Sequence, residues 1–212
     1  MTLNAQGLQG KNRFKKFLRA ALKWAREDLV HVWCIQEHSF PPETIADRER
    51  MCTIKGLKLI ASPSTATLGT DGKTYYSGGT FIMIHESAAT YLETLTTESG
   101  ITRVKIDHQG MEHTIASIYA PAQPLPRIDF FNSLGVLTNK LCKDTITGGD
   151  FNFVPDAATL DVQGPNSLRY ANLGAKIGSE AMSSYALHDY RREQLGLEKE
   201  PTHSQTTLGC RV

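Results

Sequence analysis

Five polar side chains stand where apolar runs give out. Asn4 closes "TLN", Glu37 follows "VWCIQ", Tyr119 closes "SIY", and Asp150 and Asn152 follow the two glycines of "TGGDFN". A glutamate with a nearby amide oxygen offers hard oxygen ligands. These suit Mg²⁺, which binds through one or two carboxylates plus a substrate phosphate. An aspartate held by an asparagine orients and deprotonates a water, and a tyrosine hydroxyl donates to a phosphate oxygen. Together the set fits metal-assisted hydrolysis of a phosphate ester by in-line attack.

Taken singly, several of these residues have plainer readings. Asn4 suits a turn ahead of Gly7, Glu37 suits the first solvated position after a buried strand, and a lone Tyr119 more often packs than reacts. Asp150 and Asn152 are harder to set aside. Alternation around Phe151 predicts that both point the same way, and Gly148-Gly149 suits close approach of a second backbone or a ligand. No phosphate-binding glycine loop, dinucleotide fingerprint, nucleophile elbow or H-E-x-x-H competes with this reading. Arg169 and Arg191 have the charge to reach a phosphate, but nothing in their spacing directs them there.

The elements that must hold these residues follow from periodicity. "MTLNAQGL" reads as a short strand broken at Gly7. Residues 12–29 carry Phe14, Leu18, Ala21, Leu22, Ala25 and Leu29 at helical spacing. Residues 29–36, "LVHVWCIQ", form a near-continuous apolar strand, buried on both faces. Strand–helix–strand in that order predicts a crossover that places both strands in one sheet. Residues 39–50 read as a polar, proline-containing segment. "LKLIAS", "GGTFIMIHE", "ITRVKIDH" and "HTIASIYA" read as an antiparallel meander separated by turn signals, with Asp107-His108 at a turn. A helix from about Arg127, the strand "DTITGGD", a mixed stretch 156–186 and a strand pair opening in "PTHSQTTLGCRV" complete the chain. The reading is one mixed α/β domain over residues 1–212, with two sheets.

Composition sets the remaining bounds. At 212 residues, with 40% apolar and 21% charged residues, the chain has the make-up of a globular domain. Net charge is +1, yet residues 1–40 hold seven Lys/Arg against Glu27, Asp28 and Glu37. That cluster falls on the first helix, where a solvated face is the expected role. The four cysteines are far apart and three sit in or beside apolar runs. They predict buried free thiols in a reducing compartment. No leader pattern or membrane-length apolar run is present, so the expectation is an intracellular protein, nuclear or cytoplasmic.

With these residues in place, the chain resembles the endonuclease/exonuclease/phosphatase superfamily. "TLNAQGL", "CIQEHS", "GGTFIMI", "SIYAPAQ…RIDFF" and "TGGDFNFV…D" occur in its order and rough spacing. Within it, "IYAP" with "R-x-x-FF", and "L-x-D-x-x-R" followed by "T-H" and "CR", are most similar to the apurinic-endonuclease-like domain of non-LTR (LINE-type) retrotransposons. The resemblance implies a DNase I-like four-layer sandwich, two packed mixed sheets flanked by helices. It implies Mg²⁺, with Mn²⁺ as the alternative, held by Glu37 and Asn4. It further implies Tyr119 at the scissile phosphate, Asp150 as activator of the attacking water, Asn152 as its partner, and Thr202 on the DNA-binding side. DNA is the implied substrate, the chain a monomer, and a reverse transcriptase domain of the same longer polypeptide the implied partner.

The family pattern continues past "CR" with an aspartate and later a Ser-Asp-His motif, whereas this sequence stops at Arg211-Val212. The expectation is a domain incomplete at its C-terminus, with its final strands missing. His31, His38, His85, His113, His188 and His203 lack the motif's context and read as ordinary strand or loop histidines. Two other functions remain open: a catalytically decayed remnant that only binds nucleic acid or a partner, and a phosphoesterase acting on small phosphates or lipids. Specificity is expected in surface stretches 62–78 and 156–186.

Overall fold

The computed structural model describes residues 1–98, 100–138, 145–152, 180, 204–206 and 209–211. In order they form β1 (Thr2–Asn4), α1 (Lys11–Arg26), β2 (Val32–Gln36), α2 (Pro42–Thr53), β3 (Leu57–Ala61), β4 (Thr65–Leu68), β5 (Thr74–Ser77) and β6 (Thr80–His85). Then come β7 (Thr90–Glu98), β8 (Ile101–His108), β9 (Met111–Tyr119), α3 (Pro124–Thr138), β10 (Thr145–Asp150), β11 (Ser204–Thr206) and β12 (Gly209–Arg211). The chain divides into two compact units, residues 1–121 with 136–151, and residues 122–135 with 152–212.

The first unit is built on two mixed four-stranded sheets. One has the order β1-β2-β6-β3 and the other β10-β9-β8-β7. The β1–β2 and β10–β9 pairs are parallel, and the other pairs are antiparallel. On α1, Phe14, Leu18, Ala21 and Ala25 recur on one face and are buried against Trp33, Ile35, Phe81 and Met83. The alternate residues of the same strands, Cys34, Ile82 and Ile84, pack with Val104, Ile106 and Ile115 of the second sheet. Strands β2 and β6 are thus covered on both faces, which is why they read as continuous apolar runs. Full burial of Phe14 or Phe81 contributes roughly 1.5–3 kcal/mol each. Helices α1 and α2, the first sheet and the second sheet make three successive layers of this unit. The second unit holds α3 as far as Gly135 and the antiparallel β11–β12 pair, registered Ser204↔Arg211, the pair expected near "PTHSQTTLGCRV".

Several expectations are corrected. The first helix ends at Arg26 rather than 29, because Asp28 turns at φ 57. Leu29 is therefore 65% exposed, and β2 starts at Val32. Residues 42–53 are helical, not irregular: Pro42 occupies the first turn, where proline initiates a helix rather than breaking it. The periodicity was hidden because one inward-facing residue is an arginine, Arg48, whose guanidinium lies over the Phe14 ring. The middle strands do not form one meander. Strands β7, β8 and β9 do, while β3 and β6 belong to the first sheet. Strand β7 is largely exposed and the β4–β5 hairpin fills 65–77, so neither carried a burial pattern to read. Asp107 and His108 end β8, and the turn itself is Gln109-Gly110, both at positive φ. No helix among the described residues is long and apolar enough to cross a membrane.

Candidate active site

Parallel pairing of β1 with β2 sets Asn4 beside Gln36, one residue before Glu37. The alignment continues past the strand ends, where Ala5, Gly7 and Leu8 donate their N–H groups to the carbonyls of Gln36, Glu37 and His38. Glu37 leaves the strand at φ 54 and Ser39 follows at φ 56. A non-glycine residue there costs on the order of 1–3 kcal/mol and persists only where its surroundings impose it. Here they do. Gly7 N–H binds the Glu37 carbonyl at 2.7 Å, and Ser39 N–H binds Gly78 at 3.0 Å.

On the other sheet, β10 pairs with β9 so that Asp150 stands beside Tyr119. The two sheet ends meet through one side chain. Asn4 Nδ2 donates to Glu37 Oε1 at 3.0 Å and to Asp150 Oδ2 at 2.9 Å. The amide oxygen is taken by Gln6 N–H at 3.0 Å. A flipped amide would set its oxygen against two carboxylates, so the orientation is fixed by chemistry. Tyr119 completes the group. Desolvation first, then its hydrogen bond to Glu37 and the charges of Glu37 and Asp150, push its hydroxyl well above the ordinary tyrosine range. It stays protonated and serves as a donor.

The glycines before Asp150 explain how β10 comes this close. A Cβ on Gly148 would sit 3.0 Å from Cys34 Cβ and 3.2 Å from Thr2 Cβ, both on the facing sheet. One on Gly149 would fall 2.4 Å from the Ile118 carbonyl oxygen. Gly148 therefore serves close approach of the facing sheet, the backbone alternative raised by the sequence, and Gly149 serves pairing with β9 of its own sheet.

Beneath the four residues lies a polar bridge that sequence reasoning missed. Gln36 Nε2 donates to Ser117 Oγ at 3.1 Å, Thr2 Oγ1 donates to Gln36 Oε1 at 3.2 Å, and Ser117 Oγ reaches back to the Ile35 carbonyl at 3.3 Å. Its signal was a glutamine closing an otherwise apolar strand. Behind Glu37, His38 is fully buried. Its Nδ1 accepts from Phe40 N–H at 2.8 Å, so Nε2 carries the proton to the Ser62 carbonyl at 3.0 Å. Burial lowers its pKa to about 4, which keeps the ring neutral. A Cβ on Gly79 would lie 2.5 Å from that ring, and one on Gly78 would lie 3.6 Å from the Tyr119 ring. Gly79 thus makes room for the His38 ring, while Gly78 leaves the Tyr119 ring at ordinary contact distance.

Of the sequence-predicted residues, Asn4, Glu37, Tyr119 and Asp150 come together. Asn152 does not continue the strand: β10 ends at Asp150, and Asn152 has φ 51. The alternation that would align it with Asp150 is broken, and it belongs to the second unit. Thr202, Arg169 and Arg191 lie outside the described residues, as does stretch 156–186 apart from residue 180.

The donor chemistry fits a divalent cation. Two carboxylates from different sheets converge on one amide, leaving oxygens for a hard ion that takes few protein ligands and keeps waters. Among the described residues no group of three or more His, Cys, Asp or Glu is placed to hold a metal ion. Asn4 is placed as donor to the two carboxylates, its oxygen already engaged.

No family model matches the chain, and no curated protein matches it. Solved structures do. An AP endonuclease from Leishmania major shares 17% identity at TM-score 0.66, over 94% of this chain and 70% of that one. An AP endonuclease from Archaeoglobus fulgidus shares 14% at 0.60, over 91% and 72%. The endonuclease domain of TRAS1, a telomere-specific non-LTR retrotransposon, shares 18% at 0.52, over 88% and 70%. The chain therefore has the DNase I-like fold of the AP endonucleases, with mixed α/β layers and packed sheets. The neighbours are of the kind the sequence motifs resemble.

Proposed function

We propose that the chain is a divalent-metal-dependent phosphodiesterase that nicks one strand of DNA, as the endonuclease domain of a non-LTR retrotransposon. The observation that carries this reading is the Asn4 amide held between Glu37 and Asp150. Fold likeness to AP endonucleases and to a retrotransposon endonuclease supports it.

In this mechanism Asp150 takes the proton of the water whose oxygen attacks phosphorus, and the leaving oxygen departs on the opposite side. Asn4 holds the Asp150 carboxylate in place, and Tyr119, protonated and desolvated, donates to a phosphate oxygen as charge builds there. Glu37, backed by the buried His38, supplies the carboxylate that holds Mg²⁺ or Mn²⁺. The ion, when bound, offsets charge on the phosphate and on the departing oxygen. Asn152 and Thr202 are assigned to positioning the phosphate and the DNA. The nick leaves an end that a reverse transcriptase domain of the same polypeptide can prime from.

The test is conversion of supercoiled plasmid to open circle by the purified 212-residue chain. Nicking that requires Mg²⁺, stops in EDTA and is lost in Asp150→Ala is the expected result. A folded chain that does not nick is instead the non-catalytic remnant.

A further inference from the structure

Helix α1 carries Lys11, Arg13, Lys15, Lys16, Arg19, Lys23 and Arg26, and no acidic residue, in a chain whose net charge as a whole is only +1. All seven are exposed. Projected at about 100° per residue, Lys15, Lys16, Arg19, Lys23 and Arg26 fall within a roughly 100° arc. The buried Phe14, Leu18, Ala21 and Ala25 occupy the other side. An ordinary solvated helix face mixes signs in pairs that stabilise it. Here Lys15 with Arg19 and Arg19 with Lys23 are like-charge neighbours four apart, each mildly destabilising. Lys11 in the first turn, where no acid is present, also opposes the helix dipole. Among the described residues the one ion pair of this helix, Lys23 to Glu27 at 3.7 Å, is exposed and lies at its far end. A local arrangement that costs stability without structural return points to a partner.

We infer that this face of α1 binds the phosphodiester backbone of duplex DNA, along a track that begins beside the candidate active site. This rests on the reading of the chain as a DNA-cutting enzyme. Arg13 lies outside that arc, about 60° beyond Lys16 on the same projection, and ties only the start of the helix to the candidate site. Its Nη1 donates to the Gly7 carbonyl at 3.0 Å, and it lines an open cleft with Gln6, Gly7 and Glu37. From Lys16 to Arg26 the helix advances about 15 Å. A DNA strand offers one phosphate per about 3.4 Å of axis, so that length faces roughly four phosphates. A membrane surface fits less well. The apolar face that would enter lipid is buried against the first sheet, and only the charged face is offered.

The test is binding of a fluorescein-labelled duplex by the full chain in EDTA, where cutting is off, across a salt series. Lys16→Ala, Arg19→Ala and Lys23→Ala combined should flatten the slope of log affinity against log salt by about 2–3. Combined Arg50→Ala, Lys55→Ala and Lys58→Ala, equal in charge but elsewhere, should leave the slope at the wild-type value. The same substitutions to Gln serve as a second set should Ala perturb the helix, checked by circular dichroism. With Mg²⁺ and saturating plasmid, the α1 variant should turn over at the wild-type rate with raised half-saturation. A wild-type slope in the α1 variant overturns the inference. So does equal loss in the control triple, or tighter binding to anionic lipid vesicles than to duplex. Duplex binding with the expected slope but no nicking upholds the track and overturns only the endonuclease reading.

Discussion

Asn4 Nδ2 lies 2.9 Å from Asp150 Oδ2, a contact between residues 146 apart in sequence and on different sheets. The same nitrogen reaches Glu37 Oε1 at 3.0 Å, so one amide satisfies two carboxylates that would otherwise repel. Charge-assisted bonds of this kind are about twice as strong as neutral ones.

Asn4→Ala should therefore reduce nicking by at least about 100-fold, the order seen when one preorganised donor is lost. It should also lower stability by about 1–3 kcal/mol through the unpaired acceptors. Asn4→Asp adds a third carboxylate and should be worse on both counts. Plasmid nicking and urea unfolding at pH 7 read the two effects. Wild-type activity in Asn4→Asp would contradict the donor role.

Tyr119→Phe removes only the hydroxyl donor, which the structure keeps protonated. Turnover should fall by about 10²–10³ while the melting temperature moves little. A pH–rate profile with no new limb up to pH 9 is expected for the wild type, since the phenol does not ionise in that range.

Gly149→Ala would place a Cβ 2.4 Å from the Ile118 carbonyl oxygen, which is backbone and has little room to yield. The variant should lose roughly 1–3 kcal/mol in denaturant unfolding, the range for overpacked sites, with nicking reduced because Asp150 follows directly. Gly72→Ala, where a Cβ meets open space but φ is +74, should show only the smaller cost of backbone strain.

His38 gives the fold an acid-sensitive point. Its pKa falls from 6.5 to about 4 on folding, so the unfolded chain takes up a proton that the native chain refuses. Its contribution is complete above pH 6.5 and declines as pH drops toward 4, by up to about 3 kcal/mol. Unfolding free energies measured between pH 7 and pH 5, before the carboxylates titrate, should slope downward in the wild type. In His38→Gln the slope should be shallower over that interval.

The sequence made the strands and the four converging residues legible because each follows an apolar run long enough to mark a sheet interior. "VWCIQE" and "TITGGD" announce both a strand and its polar end. Helix α2 was not legible, since its inward face is carried by Ile45, Arg48 and Cys52 and it begins with proline. The Asn152 reading assumed that strand alternation persists two residues beyond the last ladder pair, and a left-handed residue ends it. The Gln36–Ser117 bridge was invisible for another reason. Two residues 81 apart meet only once the sheets pack, and no local pattern encodes that meeting.

Because Asn4 and Glu37 sit on one sheet and Tyr119 and Asp150 on the other, neither sheet carries a site by itself. A chain emerging from the ribosome has Asn4 and Glu37 early but lacks Asp150 until β10 has been made and laid against β9. Contacts of such long span form late in folding. The four-residue cluster is thus absent from any form of the chain in which β10 has not yet been laid against β9.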